Sequence, residues 1–462
     1  MRVLLVVYDN GSYISDMPLG IMYIAAVLKK QGIEVEIYSQ DYHHYTDEHL
    51  TAYLDANRFD VIGLGVVGGY YQYRKLLTLS KAINASKNRP FYVIGGHGPS
   101  PEPEYFLKIS QADAVVMGEG ENTIVELVNA IARHQSLSDV QGIAYHDHDG
   151  VHINQRRLLI QNIDTIPWPA YDLFPMEYYR LTRLPGAYAT EFCSCMLSGR
   201  GCHFKCNFCY RMDEGFRPRD SEAIIEEMRY LKDKYHINYI YFDDELLMSS
   251  EHRVMQLSEA LINAHLGMRW MCNGRLNYAK PAILKLMRRA GCVFINYGIE
   301  SIDDEILKNM NKCLTIKQIY SGIEATLAEG ISPGLNIIFG NIGETAEILE
   351  KDVEFLLKYD DGSQIRNIRP VTPYPGSPLY YYALEQGLLK DCQDFYENKH
   401  LNSDLLTVNF TNLTDDVFYS LLCKANETLL NNYFKNKNEA YIKLTRKLYD
   451  ERDVDFRGYR AT

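Results

Sequence analysis

The sequence predicts an α/β protein: a doubly wound parallel sheet at the N-terminus, a second βα series forming a partial (β/α)6 TIM-type barrel, and a helical C-terminal region. Three observations predict it. Over residues 1–135, short and nearly continuous β-branched runs alternate with helical patterns, as parallel strands buried on both faces require. Prolines in IPWPAYDLFP then break the alternation within residues 136–190, which reads as a linker. A second alternating series fills residues 191–388, and a Lys/Glu/Asn-rich helical stretch, 389–462, follows without an evident role. At 462 residues the chain is long enough for two or three cores without disulfide staples.

The first series reads in order as the strand VLLVVY, the helix LGIMYIAAVLKK, the strands VEIYS and VIGLGVV, a helix from Tyr71, the strands FYVIGG and AVVMGEG, and the helix ENTIVELVNAIARH. In such sheets a ligand sits beyond the carboxyl ends of the strands. Here those ends carry DNGSYISDMPLG, GVVGGYY, GGHGPSPEPE and GEGE. Gly11, Leu19, Gly20, Gly65, Gly68, Gly95, Gly96, Gly118 and Glu119 are therefore candidate walls of a binding cleft. GLGVVG, residues 63–68, satisfies the dinucleotide pattern G-x-G-x-x-G, but it follows the third strand and no acidic residue ends FYVIGG to hold a ribose. The second series reads as a helix from Ser221, the strand INYIYFDD, a helix from Ser250, the strand MRWMCN, a helix from Lys280, the strand VFINYGIE, helices to Glu329, the strand LNIIFG, a helix from Glu344 and a strand near IRNIRPV. About six βα units suggest a barrel with its functional residues at the C-terminal strand ends.

The net charge of −12, with no block of Lys or Arg, argues against nucleic acid as a partner. MRVLLVVYDN reads as a first strand and not as a signal peptide, and no apolar run approaches the roughly 18 residues a membrane span needs. A cytoplasmic protein is expected. The 36 tyrosines against 17 phenylalanines read as amphipathic packing.

Of ten cysteines, five fall between residues 193 and 209 and none before 193, which points to metal or redox chemistry in a reducing compartment. GRGCHFKCNFCYR, residues 199–211, spaces Cys202, Cys206 and Cys209 as Cys-x3-Cys-x2-Cys. Structural zinc would need a fourth ligand, with His203, Cys193, Cys195 or a distant residue as the options. An iron–sulfur cluster held by three thiolates keeps one iron open. Cys193 and Cys195 themselves read as small apolar residues before a buried strand.

This spacing, with Phe208 just before the last cysteine, resembles the radical S-adenosylmethionine (SAM) superfamily. The resemblance implies a [4Fe-4S] cluster on Cys202, Cys206 and Cys209 whose open iron chelates SAM. Tyr241-Phe-Asp-Asp-Glu resembles the acidic segment that receives the SAM ammonium, making Asp243 and Asp244 candidates, with a helix N-cap as the alternative. CNGR, 272–275, and YGIES, 297–301, lie where the family holds the SAM ribose and carboxylate; Arg275 and Glu300 are candidates there, or else form a structural ion pair. NIIFGNIGE, 336–344, resembles the strand end near the adenine, with Gly340 for close approach, although it reads Asn341-Ile342-Gly343 in place of Leu-Pro-Gly. TPYPGSPLY, 372–380, also resembles the family after its sixth strand.

The order of α/β domain, linker and barrel resembles the cobalamin-binding branch, which includes the anaerobic magnesium-protoporphyrin ester cyclase and many C-methyltransferases. It implies cobalamin on the N-terminal domain, facing the SAM site. The Asp-x-His-x-x-Gly of lower-face cobalt ligation is absent after the first strand, DYHHYT at 41–46 does not restore it, and so His43 is not expected to ligate cobalt; His97 reads as a wall residue. A methylthiotransferase would need three cysteines in the N-terminal domain, and residues 1–192 hold none. The expected reaction is radical modification of an unactivated carbon of a small molecule, foremost by methyl transfer, with cyclisation, oxidation or rearrangement as the runner-up. A zinc-bearing, non-catalytic binding protein is the reading from another class. The chemistry implies a reducing partner such as flavodoxin or ferredoxin.

Overall fold

The structure, a computed structural model, describes residues 1–9, 11, 17–212, 215–456 and 458–459. Within DNGSYISDMPLG, residue 10 and residues 12–16 lie outside the described residues.

Strands β1 (Arg2–Val7), β2 (Glu34–Ser39), β3 (Val61–Gly65), β4 (Phe91–Gly95), β5 (Ala114–Val116), β6 (Ile143–Asp147) and β7 (Gly150–Ile153) form one sheet in the order β2-β1-β3-β4-β5-β6-β7. The first five are parallel, in the 2-1-3-4-5 order of doubly wound folds. On β1, Val3 and Leu5 pack beneath the helices Leu19–Lys30 and Glu121–Ala132, while Leu4 and Val6 face the helices Tyr70–Asn84 and Pro103–Ser110. Burial on both faces is why the run VLLVV shows no polar alternation.

One expectation fails here. The stretch read as linker supplies β6 and β7, an antiparallel hairpin that extends the sheet from β5. Ile143, Ala144 and Tyr145 are buried, and the two residues His148 and Asp149 make the turn, after which Gly150, at φ +125°, opens β7 opposite Asp147.

The second sheet holds β8 (Cys193–Met196), β11 (Tyr239–Phe242), β12 (Arg269–Gly274), β13 (Cys292–Glu300), β14 (Ser332–Phe339) and β15 (Arg369–Pro370). They run in strict succession, β15-β14-β13-β12-β11-β8, all parallel, as an open half-barrel. A two-residue antiparallel pair, β9 (Gly199–Arg200) and β10 (Arg217–Pro218), brackets the three-cysteine loop. Cys193 and Cys195 lie inside β8, both buried.

Side-chain alternation gives the half-barrel two faces. Ile240, Phe242, Trp270 and Ile295 join the main core, with Ile224, Met228 and Leu257 of the covering helices. On the other face Cys193, Tyr239, Met271 and Phe294 pack with Leu184 and Ala187 into a separate apolar floor.

The C-terminal region returns to both halves. Tyr380, Ala383, Phe395 and Tyr396 enter the core of the N-terminal sheet beside Leu76 and Phe106, so residues 378–408 complete that first domain. The 36-residue helix Asp415–Asp450 lays Phe418, Leu422, Ala425 and Leu429 on the half-barrel, with Phe418 stacked on Phe339 at 4.9 Å. Among the described residues no helix is long and apolar enough to cross a membrane.

Candidate cofactor site between two sets of strand ends

The three-cysteine loop is pinned by backbone contacts. The Asn207 amide donates to the Met310 carbonyl at 2.9 Å, the Leu379 amide donates to the Asn207 carbonyl at 2.8 Å, and Asn311 Nδ2 donates to the Lys205 carbonyl at 2.7 Å. Gly201, at φ +84°, turns the chain into the loop and donates its amide to Glu245 Oε2 at 3.0 Å. Cys206 is buried, Cys202 half-buried and Cys209 exposed.

Their chemistry fits a cationic cluster. Desolvation and, after it, the neighbouring Cys206 and Cys202 push the Cys209 thiol up to about 11; desolvation likewise raises Cys202, with Arg275 acting against it. Thiols that oppose one another's ionisation need a positive group among them, and iron supplies it.

The two aspartates at the end of β11 separate. Asp244 is fully buried and accepts the Ser198 amide at 2.6 Å and the Ser198 hydroxyl, and burial pushes its carboxyl up to about 7. It therefore anchors the β8–β9 turn and faces no ligand, which corrects its assignment to SAM. Asp243 is exposed at the strand end. Neither caps a helix, because Ser250 caps Glu251–Ala264.

Arg275 and Glu300 are also resolved differently. Glu300, at φ +72°, pairs through Oε1 with Lys312 Nζ at 2.7 Å, so the structural ion pair exists with a lysine that sequence reasoning did not single out. Lys312 Nζ lies 5.7 Å from the centroid of the half-buried Phe208. Arg275 Nη1 instead lies 3.8 Å from Cys206 Sγ, with its guanidinium 3.5 Å from the Phe204 ring centroid. At Gly340, φ +103°, an added Cβ would stand 2.9 Å from Phe418, so the close approach is made by the C-terminal helix in place of a ligand.

Above the apolar floor runs a belt of neutral polar side chains. Asn273 Nδ2 donates to Tyr241 Oη at 3.1 Å and to the Asp244 carbonyl at 2.8 Å; Asn296 Nδ2 donates to Asn273 Oδ1 at 3.2 Å; Asn336 Nδ2 donates to Asn296 Oδ1 at 2.8 Å. Gly334 makes room for Asn296, whose Oδ1 a Cβ would strike. The signal was present in the sequence, as single asparagines in otherwise apolar strands.

At the N-terminal sheet, Gly65, Gly95 and Gly96 end β3 and β4, with Gly96 at φ +105° tight against the Val66 carbonyl. Gly118, at φ +81°, and Gly20 face open space, and Gly68 abuts Tyr374 and Tyr396. Gly11 is exposed beside Tyr71. Exposed Val67, Tyr71 and His97 continue this rim, an apolar and small-residue surface that fits a flat macrocycle. Leu19, by contrast, is buried in the helix core. Burial opposes ionisation of Glu119, yet Arg217, the Ile160 amide and Arg200 hold its carboxyl below the ordinary value; it pairs with Arg200 and Arg217, each at 2.9 Å. Its role is to tie the N-terminal sheet to the β9–β10 pair. His43 stacks on Tyr45 at 4.8 Å, beyond edge strand β2.

The two sets of strand ends meet. The His97 ring stands edge-on to Tyr210, next to Cys209, at 6.3 Å, and surrounding protein lowers its pKa, with Glu245 acting against this. Ser100 Oγ lies 3.7 Å from Met212 Sδ, and Tyr210 packs over Gly376 near Pro101. The β4-end loop of the first sheet thus rests on the cluster loop of the second.

Residues 196–356 match the Radical SAM superfamily and residues 16–128 the B12 binding domain. The second match spans GLGVVG and replaces the nicotinamide reading; the first replaces the non-catalytic zinc reading. The chain is 29% identical over 401 residues to an uncharacterized methyltransferase of Pyrococcus horikoshii, covering 84% of each. It is 26% identical over 406 residues to the anaerobic magnesium-protoporphyrin IX monomethyl ester cyclase of Rubrivivax gelatinosus, covering 82% of this chain and 69% of that one. The radical SAM methyltransferase TsrM from Kitasatospora setae, solved with cobalamin and a [4Fe-4S] cluster, shares the fold at a TM-score of 0.74 and 17% identity, over 93% of this chain and 88% of that one. Two family matches on two sheets whose strand ends face each other lead to one conclusion: the chain belongs to the B12-binding radical SAM enzymes, related to magnesium-protoporphyrin cyclases and radical SAM methyltransferases, with a [4Fe-4S] cluster, SAM and cobalamin as its cofactors.

Proposed function

We propose that this enzyme transfers a methyl group to an unactivated carbon of a small molecule. The observation that carries the reading is the contact of the β4-end loop with the cluster loop, His97 against Tyr210, which supports bringing the cobalamin rim to the SAM site. Cys202, Cys206 and Cys209 hold the cluster, Asp243 receives the SAM ammonium with Phe208 nearby, and Gly20, Gly65, Gly68, Gly95, Gly96 and Gly118 line the cobalamin cleft. When bound, the cluster and SAM supply a carbon-centred radical that abstracts hydrogen, and cobalamin supplies the methyl group.

The chain's own part is placement and exclusion of water. Glu245 holds the loop entrance through the Gly201 amide, and the Glu300–Lys312 pair closes one side. The asparagine belt gives the lumen fixed neutral hydrogen-bonding groups, which suits a polar substrate. Electrons come from a flavodoxin or ferredoxin. A radical cyclisation, oxidation or rearrangement is the second reading, favoured by the cyclase relative.

The test is anaerobic reconstitution with iron, sulfide and hydroxocobalamin, followed by reduction and SAM. Near-stoichiometric cobalt and about four irons, with both S-adenosylhomocysteine and 5′-deoxyadenosine formed, are expected. 5′-Deoxyadenosine without S-adenosylhomocysteine would move the cyclase-type reading ahead. Cys206→Ala is expected to lose cluster and cleavage together; retained cleavage would remove the ligand assignment.

A further inference from the structure

Arg275 is 7% exposed, and each of its donor groups is engaged. Nη1 points to Cys206 Sγ at 3.8 Å, Nη2 donates to the Lys312 carbonyl, and Nε donates to Asn277 Oδ1 at 3.2 Å. Asn277 is itself fixed, its Nδ2 donating to the Cys313 carbonyl at 2.7 Å. The guanidinium carbon lies over the ring of Phe204, inside the three-cysteine loop, at 3.5 Å from its centroid. No carboxylate among the described residues pairs with Arg275, since Glu300 is taken by Lys312. A buried cation without an anion is strongly unfavourable. The group within reach is the Cys206 sulfur, an anion once it ligates iron.

We propose that Arg275 is the built-in counterion of the cluster and its thiolates, raising the cluster's reduction potential through a hydrogen bond to the Cys206 sulfur. This rests on Cys202, Cys206 and Cys209 being the ligands. The added electron makes the assembly more negative, so a buried guanidinium favours the reduced form, and hydrogen bonds to the sulfurs are an established determinant of cluster potentials. Arginine suits the place because its guanidinium sits over Phe204 while its fork serves the sulfur and a carbonyl at once. Arg275 acts through Cys206 and is a positioning residue. These contacts use three of its five N–H groups.

The test is a redox titration followed by electron paramagnetic resonance, on the full-length reconstituted protein without SAM. With iron and sulfide content unchanged, Arg275→Met is expected to shift the oxidised-to-reduced ratio at a fixed potential about tenfold toward oxidised, which is 59 mV for one electron. Arg275→Lys is expected to fall between. Equal midpoints at full iron content would overturn the inference and leave the ligand assignment standing, whereas full iron in Cys206→Ala would overturn the assignment itself. Should Arg275→Met not retain its cluster, the unaltered protein carrying 15N-guanidino arginine decides: the reduced cluster must show a 15N hyperfine coupling, and its absence overturns the inference.

Discussion

Asp244 is expected to make the half-barrel less stable as pH rises, and asparagine at this position to remove that dependence. Its carboxyl is fully buried at the end of β11 and is pushed up to about 7 by burial, from an ordinary value of 3.8. Between those values the folded protein holds the proton and the unfolded chain does not, so stability is complete below about pH 4 and is lost as pH rises toward 7. At about 1.4 kcal/mol per pH unit, the two units between pH 5 and pH 7 amount to about 3 kcal/mol. Asp244→Asn keeps an acceptor for the Ser198 amide and a group for the Ser198 hydroxyl, and it carries no proton to lose. Asp244→Ala leaves both Ser198 groups unpaired, at a cost of about 2–5 kcal/mol. The assay is urea unfolding of apo-protein followed by tryptophan fluorescence. Both tryptophans report on this half of the molecule: Trp270 is buried on β12, and Trp168 packs on Tyr230 of the helix Ser221–Tyr235. The stability of the parent minus that of Asp244→Asn should fall by about 3 kcal/mol from pH 5 to pH 7 and then level off. A difference that stays constant across that range would refute the argument that the buried carboxyl is protonated.

Three further outcomes are expected. Asp243→Asn should weaken SAM binding about tenfold, the loss of one exposed charge-assisted hydrogen bond, with iron content unchanged; normal affinity by equilibrium dialysis would dismiss Asp243 as the ammonium site. Glu119→Gln removes the anion shared by Arg200 and Arg217 while Arg200 keeps Glu121 at 2.5 Å, and should cost about 1–3 kcal/mol, read as a lowered melting temperature; an unchanged melt would mean that the Glu119 charge does not hold these elements together. Gly340→Ala forces a side chain onto φ +103° and into Phe418, for roughly 2 kcal/mol; the helix Asp415–Asp450 should become more susceptible to protease, and unaltered digestion would show that the contact does not hold it.

What the sequence determined by itself was whatever local pattern and spacing govern. Buried parallel strands announce themselves as unbroken apolar runs, so β1, β3, β4, β12 and β13 were legible with their order, and Cys-x3-Cys-x2-Cys marked the loop between β9 and β10. The hairpin of β6 and β7 was equally local, and its two-residue turn was passed over because the prolines nearby suggested a linker. Tertiary structure decided which of two adjacent or alternative residues does what. Asp243 and Asp244 are indistinguishable by type, and only the pleat of β11 turns one outward and seals the other beneath Ser198. Arg275 and Glu300 read as SAM contacts or else as a structural ion pair; Lys312, from a later loop, takes the glutamate and leaves the arginine beside Cys206. Glu119 and Gly340 lay at the strand ends where ligands bind, but Arg217 and Phe418 arrive from elsewhere in the chain and claim them first. The physical reason is the same in each case. Burial and charge compensation are properties of everything that surrounds a side chain, and most of that surrounding comes from residues far away in sequence.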